Sequence, residues 1–247
     1  MSEVQGISKV QGMSTDRRNA LLLAIDTCGA TGSVALARVQ DGRLHLLGEA
    51  TLPSGEFAAG ILVAARTLLQ DADSTADQLD GVVVVSGPGS YTGIRVGLAT
   101  AKGLVDARQI PLLAVSRLQV MEHRAAVGCV ALDAWRGQMF VGMRAAGMDW
   151  TERLVTAGEF TTGAQGLPIP QRVAVCEETV AQLLEMLAEE LEVLRMAPPG
   201  AAQALDAVLD RWLRGDAEDA AALDGHYLRG TEATPPLSSV PSSSVPS

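Results

Sequence analysis

The pattern of apolar and polar positions divides the chain into two similar runs of elements. Residues 21–26, Leu-Leu-Leu-Ala-Ile-Asp, are apolar up to a final acid and predict a buried strand. A turn at 27–32 leads into a second strand at 33–39. Asp41-Gly42 is a hairpin signal, and 43–52 reads as the third strand. Pro53-Ser54-Gly55 opens a helix over 56–70, with Ile61, Leu62, Ala65, Leu68 and Leu69 along its apolar side. An acidic loop at 71–80 precedes four valines, Val82 to Val85, which predict a strand buried on both faces. A helix over 92–107 and a short strand over 111–115 complete a β-β-β-α-β-α-β order, a mixed sheet carrying helices.

The pattern then restarts. Ser116 caps a helix running to about 126. Residues 129–133, Cys-Val-Ala-Leu-Asp, again form a buried strand ending in an acid. A turn at Arg136-Gly137 leads to a partner strand at 138–144, and Leu154 and Val155 supply a third. Helix (158–165), strand (172–176) and helix (177–194) follow, then a last helix over 201–213. The expected architecture is therefore α/β in two related lobes. It comprises a disordered leader at 1–19, a first lobe at 20–115, a second, degenerate lobe at 116–230, and a disordered Ser/Pro tail at 231–247.

Composition narrows the function more than the fold. Apolar residues make up 47% of the chain but aromatics only 3%, so the core must be built from Ala, Val and Leu. The formal charge of −10 argues against unaided nucleic-acid binding, which needs a basic face. Of 19 basic residues only Lys9 and Lys102 are lysines, a genome-composition signature. No apolar run approaches the roughly 18 residues of a membrane span. The first 18 residues lack a signal peptide's apolar core, and a cytoplasmic setting is expected. Cys28, Cys129 and Cys176 are odd in number and flanked by apolar residues, as small buried side chains would be.

The stretch richest in chemistry is the turn Ser86-Gly-Pro-Gly-Ser-Tyr-Thr-Gly93 between the four valines and the next helix. Gly87, Gly89 and Gly93 allow a tight turn and a close approach, and Ser90 or Thr92 is the natural N-cap. With Asp26 and Thr27 at the end of the first strand, these residues are the candidate anion or nucleotide turn at a helix N-terminus. Neither standard phosphate motif fits. Gly93 is followed by Ile-Arg where a Walker loop needs Lys-Ser/Thr, and the glycine spacing is one residue too long for a dinucleotide fingerprint. A tight turn that binds nothing is the other reading. Asp26 and Asp133, each ending a strand, are either a metal-holding or basic pair or simple caps of their own turns. Ser90 does not sit in a Gly-x-Ser-x-Gly elbow. His45, His123 and His226 have no partner at metal-ligand spacing. The residues alone yield no catalytic residue and no metal site.

Leu23-Ala-Ile-Asp-Thr27, Gly32-Ser-Val-Ala35, the long run from Ser86 to Gly97 and Ala101-Lys-Gly-Leu104 together resemble the TsaB family. The resemblance covers about residues 20–145. It implies the actin/sugar-kinase/Hsp70 (RNase H-like) type of fold, with two related lobes. It further implies a non-catalytic subunit needed to make threonylcarbamoyladenosine in tRNA, pairing with a TsaD-type catalytic subunit and a TsaE-type ATPase. The tRNA would be met only through the complex. No cofactor belongs to the chain itself, although ATP or ADP at the complex interface is compatible with the family. Partner contact in the family comes from the two helices of the first lobe. By position this implicates Glu56, Ile61, Ala65 and Leu68, and Gly93, Arg95, Gly97, Thr100, Ala101 and Leu104. An arginine at Gly97 or Ala101 is then expected to break association without unfolding the monomer.

Several positions depart from the family. Glu56-Phe57 stands where many relatives have Glu-His, Trp135 replaces an Arg and Gln138 a Glu. The stretch 223–229 matches the C-terminal Pro-x-Tyr-Leu-Arg only loosely. Two other functions stay open. One is a sugar-kinase-like phosphotransferase or Ser90 hydrolase, for which turnover by the isolated chain would speak. The other is a homodimeric nucleotide-binding module, whose dimerisation would compete with a partner for the same helices.

Overall fold

In the computed structural model, residues 16–144 and 149–228 are described. The leader up to residue 15 and the tail from 229 lie outside them. Two five-stranded sheets form the frame. In the first, β1 (Ala20–Asp26), β2 (Gly32–Gln40) and β3 (Arg43–Leu52) make antiparallel hairpins, and β4 (Gly81–Val85) and β5 (Leu112–Val115) add in parallel beside β1. The order is β3-β2-β1-β4-β5. β1 and β4 are buried at every residue, as a strand covered on both faces requires. β3 is the edge strand and exposes alternate positions.

Both faces of this sheet are covered. α1 (Phe57–Asp71) and α2 (Tyr91–Arg108) pack on one, with Ile25 of β1 directed toward Gly97 of α2. On the other lies α6 (Ala201–Arg214), whose Trp212 sits over Gly81 and Leu22. This corrects the expected division of the chain. A boundary at 116 assigns the last helix to the second lobe. Instead, Ala201, Ala204, Leu205, Val208 and Trp212 all belong to the first core. The physical reason is the open face of the first sheet. Its strands are apolar on both sides, and α1 and α2 cover only one. Residues 16–19 of the expected leader also belong to the fold: the Arg17 carbonyl accepts the Trp212 indole N–H at 2.9 Å, and its guanidinium stacks 4.6 Å from the ring.

The second sheet has the order β10-β9-β6-β7-β8, from β6 (Cys129–Asp133), β7 (Gln138–Met143), β8 (Thr151–Thr156), β9 (Arg172–Val175) and β10 (Glu192–Arg195). Again three hairpin strands are followed by two parallel ones, so the topology of the first sheet is repeated. α4 (Ala157–Thr162) and α5 (Glu178–Leu187) cover one face, and α3 (Arg117–Ala125) covers the other while also touching α6. The helix expected over 177–194 ends early, and its last part is β10. Leu191 and Val193 pack on the second core when residues 192–195 pair with β9, a burial that a solvated helix end could not provide. Arg195 then clamps α5 to the new strand through Glu178 and Glu185, at 2.9 and 2.7 Å. Hydrogen bonds from Arg195 hold both carboxyls below their usual range. Among the described residues, no helix is long and apolar enough to cross a membrane.

Candidate functional site

The glycine-rich turn leaves β4 at Val85 and enters α2 at Tyr91. Ser90 is the N-cap, accepting from the Gly93 N–H at 3.2 Å, while Thr92 lies exposed on the first turn of the helix. The Ser90 N–H donates to the Cys28 carbonyl at 2.8 Å, and the Thr27 hydroxyl donates to the Gly93 carbonyl at 2.7 Å. The glycines are needed because the β1–β2 turn presses into them. A Cβ on Gly89 would run into the Cys28 carbonyl, one on Gly93 into the Thr27 carbonyl, and one on Gly97 into the Thr27 hydroxyl. Gly87 has φ 118° and faces the His226 carbonyl. Asp26, Thr27, Gly87, Gly89, Ser90 and Gly93 are thus brought together. Their closest polar groups satisfy one another, and that is the tight-turn reading of the motif.

Asp26 is buried and caps its own turn, its Oδ1 accepting from the Cys28 N–H at 2.8 Å. Burial pushes its carboxyl up, opposed by Arg117 and by that N–H. Asp133 makes the same bond two residues on, Oδ1 accepting from the Trp135 N–H at 2.7 Å. The two strand-ending acids therefore share one local role, which sequence spacing alone left open between a cap and a metal pair. Among the described residues, no group of three or more metal-ligating side chains is assembled. All three cysteines are free. Burial, then Asp26, push the Cys28 thiol well above its ordinary value, and burial raises Cys129 and Cys176 to about 12.

The structure also gathers a cluster that the sequence did not reveal. The Glu152 carboxylate accepts from the Ser116 hydroxyl at 2.8 Å and the Trp150 indole at 2.7 Å, and meets His226 Nε2 at 2.6 Å. The carboxylate stands between serine and histidine, so no imidazole is placed to take the Ser116 proton. Ser116 Oγ is further engaged in accepting from the Leu118 N–H. The partners are 36 and 74 residues apart, a separation no local motif reports. Through this cluster the segment at 224–228 is laid against the glycine-rich turn: the His226 N–H donates to Ser86, and Tyr227 packs 5.2 Å from Tyr91.

The expected partner face needs correction. Ile61, Ala65 and Leu68 point into the first core, and Gly93, Gly97 and Ala101 face the sheet. Thr100 and Leu104 are half-buried, and only Glu56 and Arg95 are exposed. The apolar stripe of each helix is the stripe that covers its own sheet, which periodicity cannot distinguish from a docking stripe. The outer face instead presents Leu62 and Val63, 53% and 65% exposed, with Ala59 on α1 and Ala99 and Gly103 on α2. Phe57 is buried against Gly32.

A family model described as "TsaD: tRNA N6-adenosine threonylcarbamoyltransferase" matches residues 52–180, just over half the chain. The Bacillus subtilis tRNA threonylcarbamoyladenosine biosynthesis protein TsaB is 34% identical over 126 residues, 49% of this chain and 54% of that protein. Its Escherichia coli counterpart is 30% identical over 125 residues, 48% and 52% of the two chains. The chain belongs to the TsaD family, as a TsaB-type member. The match spans about half the length of these curated TsaB relatives. Beyond that half, similarity is carried by structure. An uncharacterized Pseudomonas aeruginosa protein with similarity to peptidase YEAZ superposes with a TM-score of 0.68 at 25% identity, covering 85% of this chain and all of that one.

Proposed function

We propose that the chain is a non-catalytic partner subunit in the synthesis of threonylcarbamoyladenosine in tRNA. In this reading it pairs with a TsaD-type catalytic subunit, is joined by a TsaE-type ATPase, and meets tRNA in the cytoplasm only through that complex. ATP or ADP bound at the complex interface, rather than by this chain, belongs to the same reading. The names of its TsaB relatives support the pathway. The observation that carries the non-catalytic role is the packing of the turn at 86–93. Its caps and carbonyls are engaged by the β1–β2 turn, and Ser90 is spent on capping α2. We also assign the two sheets to the actin/sugar-kinase/Hsp70 type of fold, on their repeated topology. The second lobe as a degenerate copy rests on its shorter helices, α4 and α5 of 6 and 10 residues against 15 and 18 in α1 and α2. Depleting the chain in its host is expected to remove threonylcarbamoyladenosine from tRNA, as measured by mass spectrometry of digested tRNA. Intact modification after depletion would end the proposal.

The contact surface we assign to the TsaD-type partner is the outer face of α1 and α2. Val63→Arg is expected to weaken that association at least ~10-fold, since a charge would enter an apolar contact. At 65% exposure Val63 contributes little to the fold, so the variant's melting temperature should stay near wild type. Gly97→Arg, by contrast, is expected to unfold the chain, because the side chain would collide with Thr27 beneath the helix. Titration calorimetry with the partner and thermal melts separate the two effects. Unchanged affinity in a folded Val63→Arg chain would place the interface elsewhere.

A further inference from the structure

The glycine-rich turn, the first turn of α2 and the segment 224–228 enclose a cavity of about 360 Å³. Aromatic residues are scarce in this chain, yet both of its tyrosines, Tyr91 and Tyr227, and one of its three phenylalanines, Phe140, line this one cavity together with Pro88. Tyr91 is 54% exposed, and the two tyrosine rings lie 5.2 Å apart, tilted by 44°. The charged groups of the wall already have partners. His226 meets Glu152 at 2.6 Å, Asp224 accepts from the Gly225 N–H at 2.7 Å, and the Arg95 guanidinium lies 4.2 Å over the Tyr91 ring. Such a wall suits an uncharged occupant with apolar rings. Polyproline II segments are recognised in aromatic-lined grooves of this kind, and their free carbonyls can accept from tyrosine hydroxyls.

We propose that Pro235-Pro236 of the same chain folds back onto this cavity as polyproline II and stacks on Tyr91 and Tyr227. Three features select that occupant. Leu228, the last described residue before the Ser/Pro tail, is itself part of the cavity wall, so the tail departs from the site. Residues 229–234 reach at most about 20 Å when extended, which exceeds the width of the cavity and leaves room to turn back. Residues 233–247 carry no charged side chain and include Pro235, Pro236, Pro241 and Pro246; adjacent prolines preset the extended conformation. The covalent link makes the contact intramolecular, at an effective concentration in the millimolar range for a short linker. A contact too weak to hold a free peptide is thereby closed within one chain. The site is independent of the partner-subunit reading and stands or falls without it.

The test uses the full chain carrying Ser239→Cys, with a nitroxide attached at position 239. Burial holds the thiols of Cys28, Cys129 and Cys176 high, so labelling is selective. The readout is paramagnetic broadening of the Arg95 and Ile94 amide signals in nuclear magnetic resonance, relative to the reduced label. Tethering alone gives some broadening, so the decisive comparison is with Pro235→Ala/Pro236→Ala, which keeps the tether and removes the rings. Broadening is expected to be at least ~2-fold stronger with the prolines than without them, and independent of protein concentration. Tyr91→Ala, a change at an exposed ring, should weaken it as the double variant does. Equal broadening with and without the prolines, or an unchanged effect in Tyr91→Ala, would overturn the proposal. So would broadening that passes from a labelled chain to an unlabelled, isotope-enriched one, since the occupant would then be the tail of a second copy.

Discussion

Trp212→Ala is expected to cost about 4 kcal/mol of stability, the largest effect of any single truncation considered for this chain. Trp212 is fully buried between α6 and the first sheet. The ring fills the space left by Gly81, where even an added Cβ would come within 2.5 Å of it. Truncation to alanine therefore removes both the apolar contact and the only filling of that space, and a rigid, glycine-floored strand has little means to collapse into the gap. The lost indole N–H also frees the Arg17 carbonyl, and the cation over the ring loses its platform. These are smaller contributions, of about 1 kcal/mol each, because Arg17 can turn to water. For a chain of this length the loss corresponds to a fall of roughly 8–16 °C in melting temperature. A drop of less than about 1 kcal/mol would mean that α6 is not a structural part of the first core.

A second large effect contrasts two glycines of one helix. Gly93→Ala is expected to destabilise by about 3 kcal/mol, and Gly103→Ala to stabilise by about 0.5–1 kcal/mol. Both changes gain the same helix propensity, roughly 1 kcal/mol in favour of alanine. What separates them is the surroundings. A Cβ at Gly103 meets nothing within 4 Å, whereas at Gly93 it meets the Thr27 backbone carbonyl. Backbone cannot swing aside as a flexible side chain can, so the overlap must be relieved by shifting α2 away from the β1–β2 turn. That shift breaks the 2.7 Å bond from the Thr27 hydroxyl to the Gly93 carbonyl. The steric term exceeds the propensity gain, and the sign reverses. Chemical denaturation of the two variants side by side checks this. Similar shifts in both would show that the turn is looser than its glycine packing implies.

Much of the fold was legible because its signals are local. The valine run of β4, the acid-ended strands β1 and β6, the Asp41-Gly42 hairpin and the Ser116 cap each report on a few neighbouring residues. Their repetition was visible as the restart at β6. What failed depended on distant surfaces. The strand β10 looks like a continuation of α5 until β9 is present to pair with it. The placement of α6 depends on which sheet face remains open, information that no part of residues 201–214 contains. The stripe of small and apolar residues on α1 and α2 poses a related difficulty: periodicity marks it but does not say that the chain's own sheet uses it. Of the candidate site, the turn residues were found but their chemistry was not decided, since only coordinates show that Thr27 and Cys28 fill the turn. Glu152 carried no local signal: its significance is a buried carboxylate with three partners, two of them drawn from distant parts of the chain.

Reconstitution is the most direct measurement. The chain is mixed with the TsaD-type and TsaE-type proteins of the same organism, threonylcarbamoyl-AMP and unmodified tRNA, and modified adenosine is quantified with and without it. The partner-subunit reading predicts that product forms only when the chain is present and that the chain alone makes none. Product formation at the same rate without the chain, or by the chain alone, would contradict it.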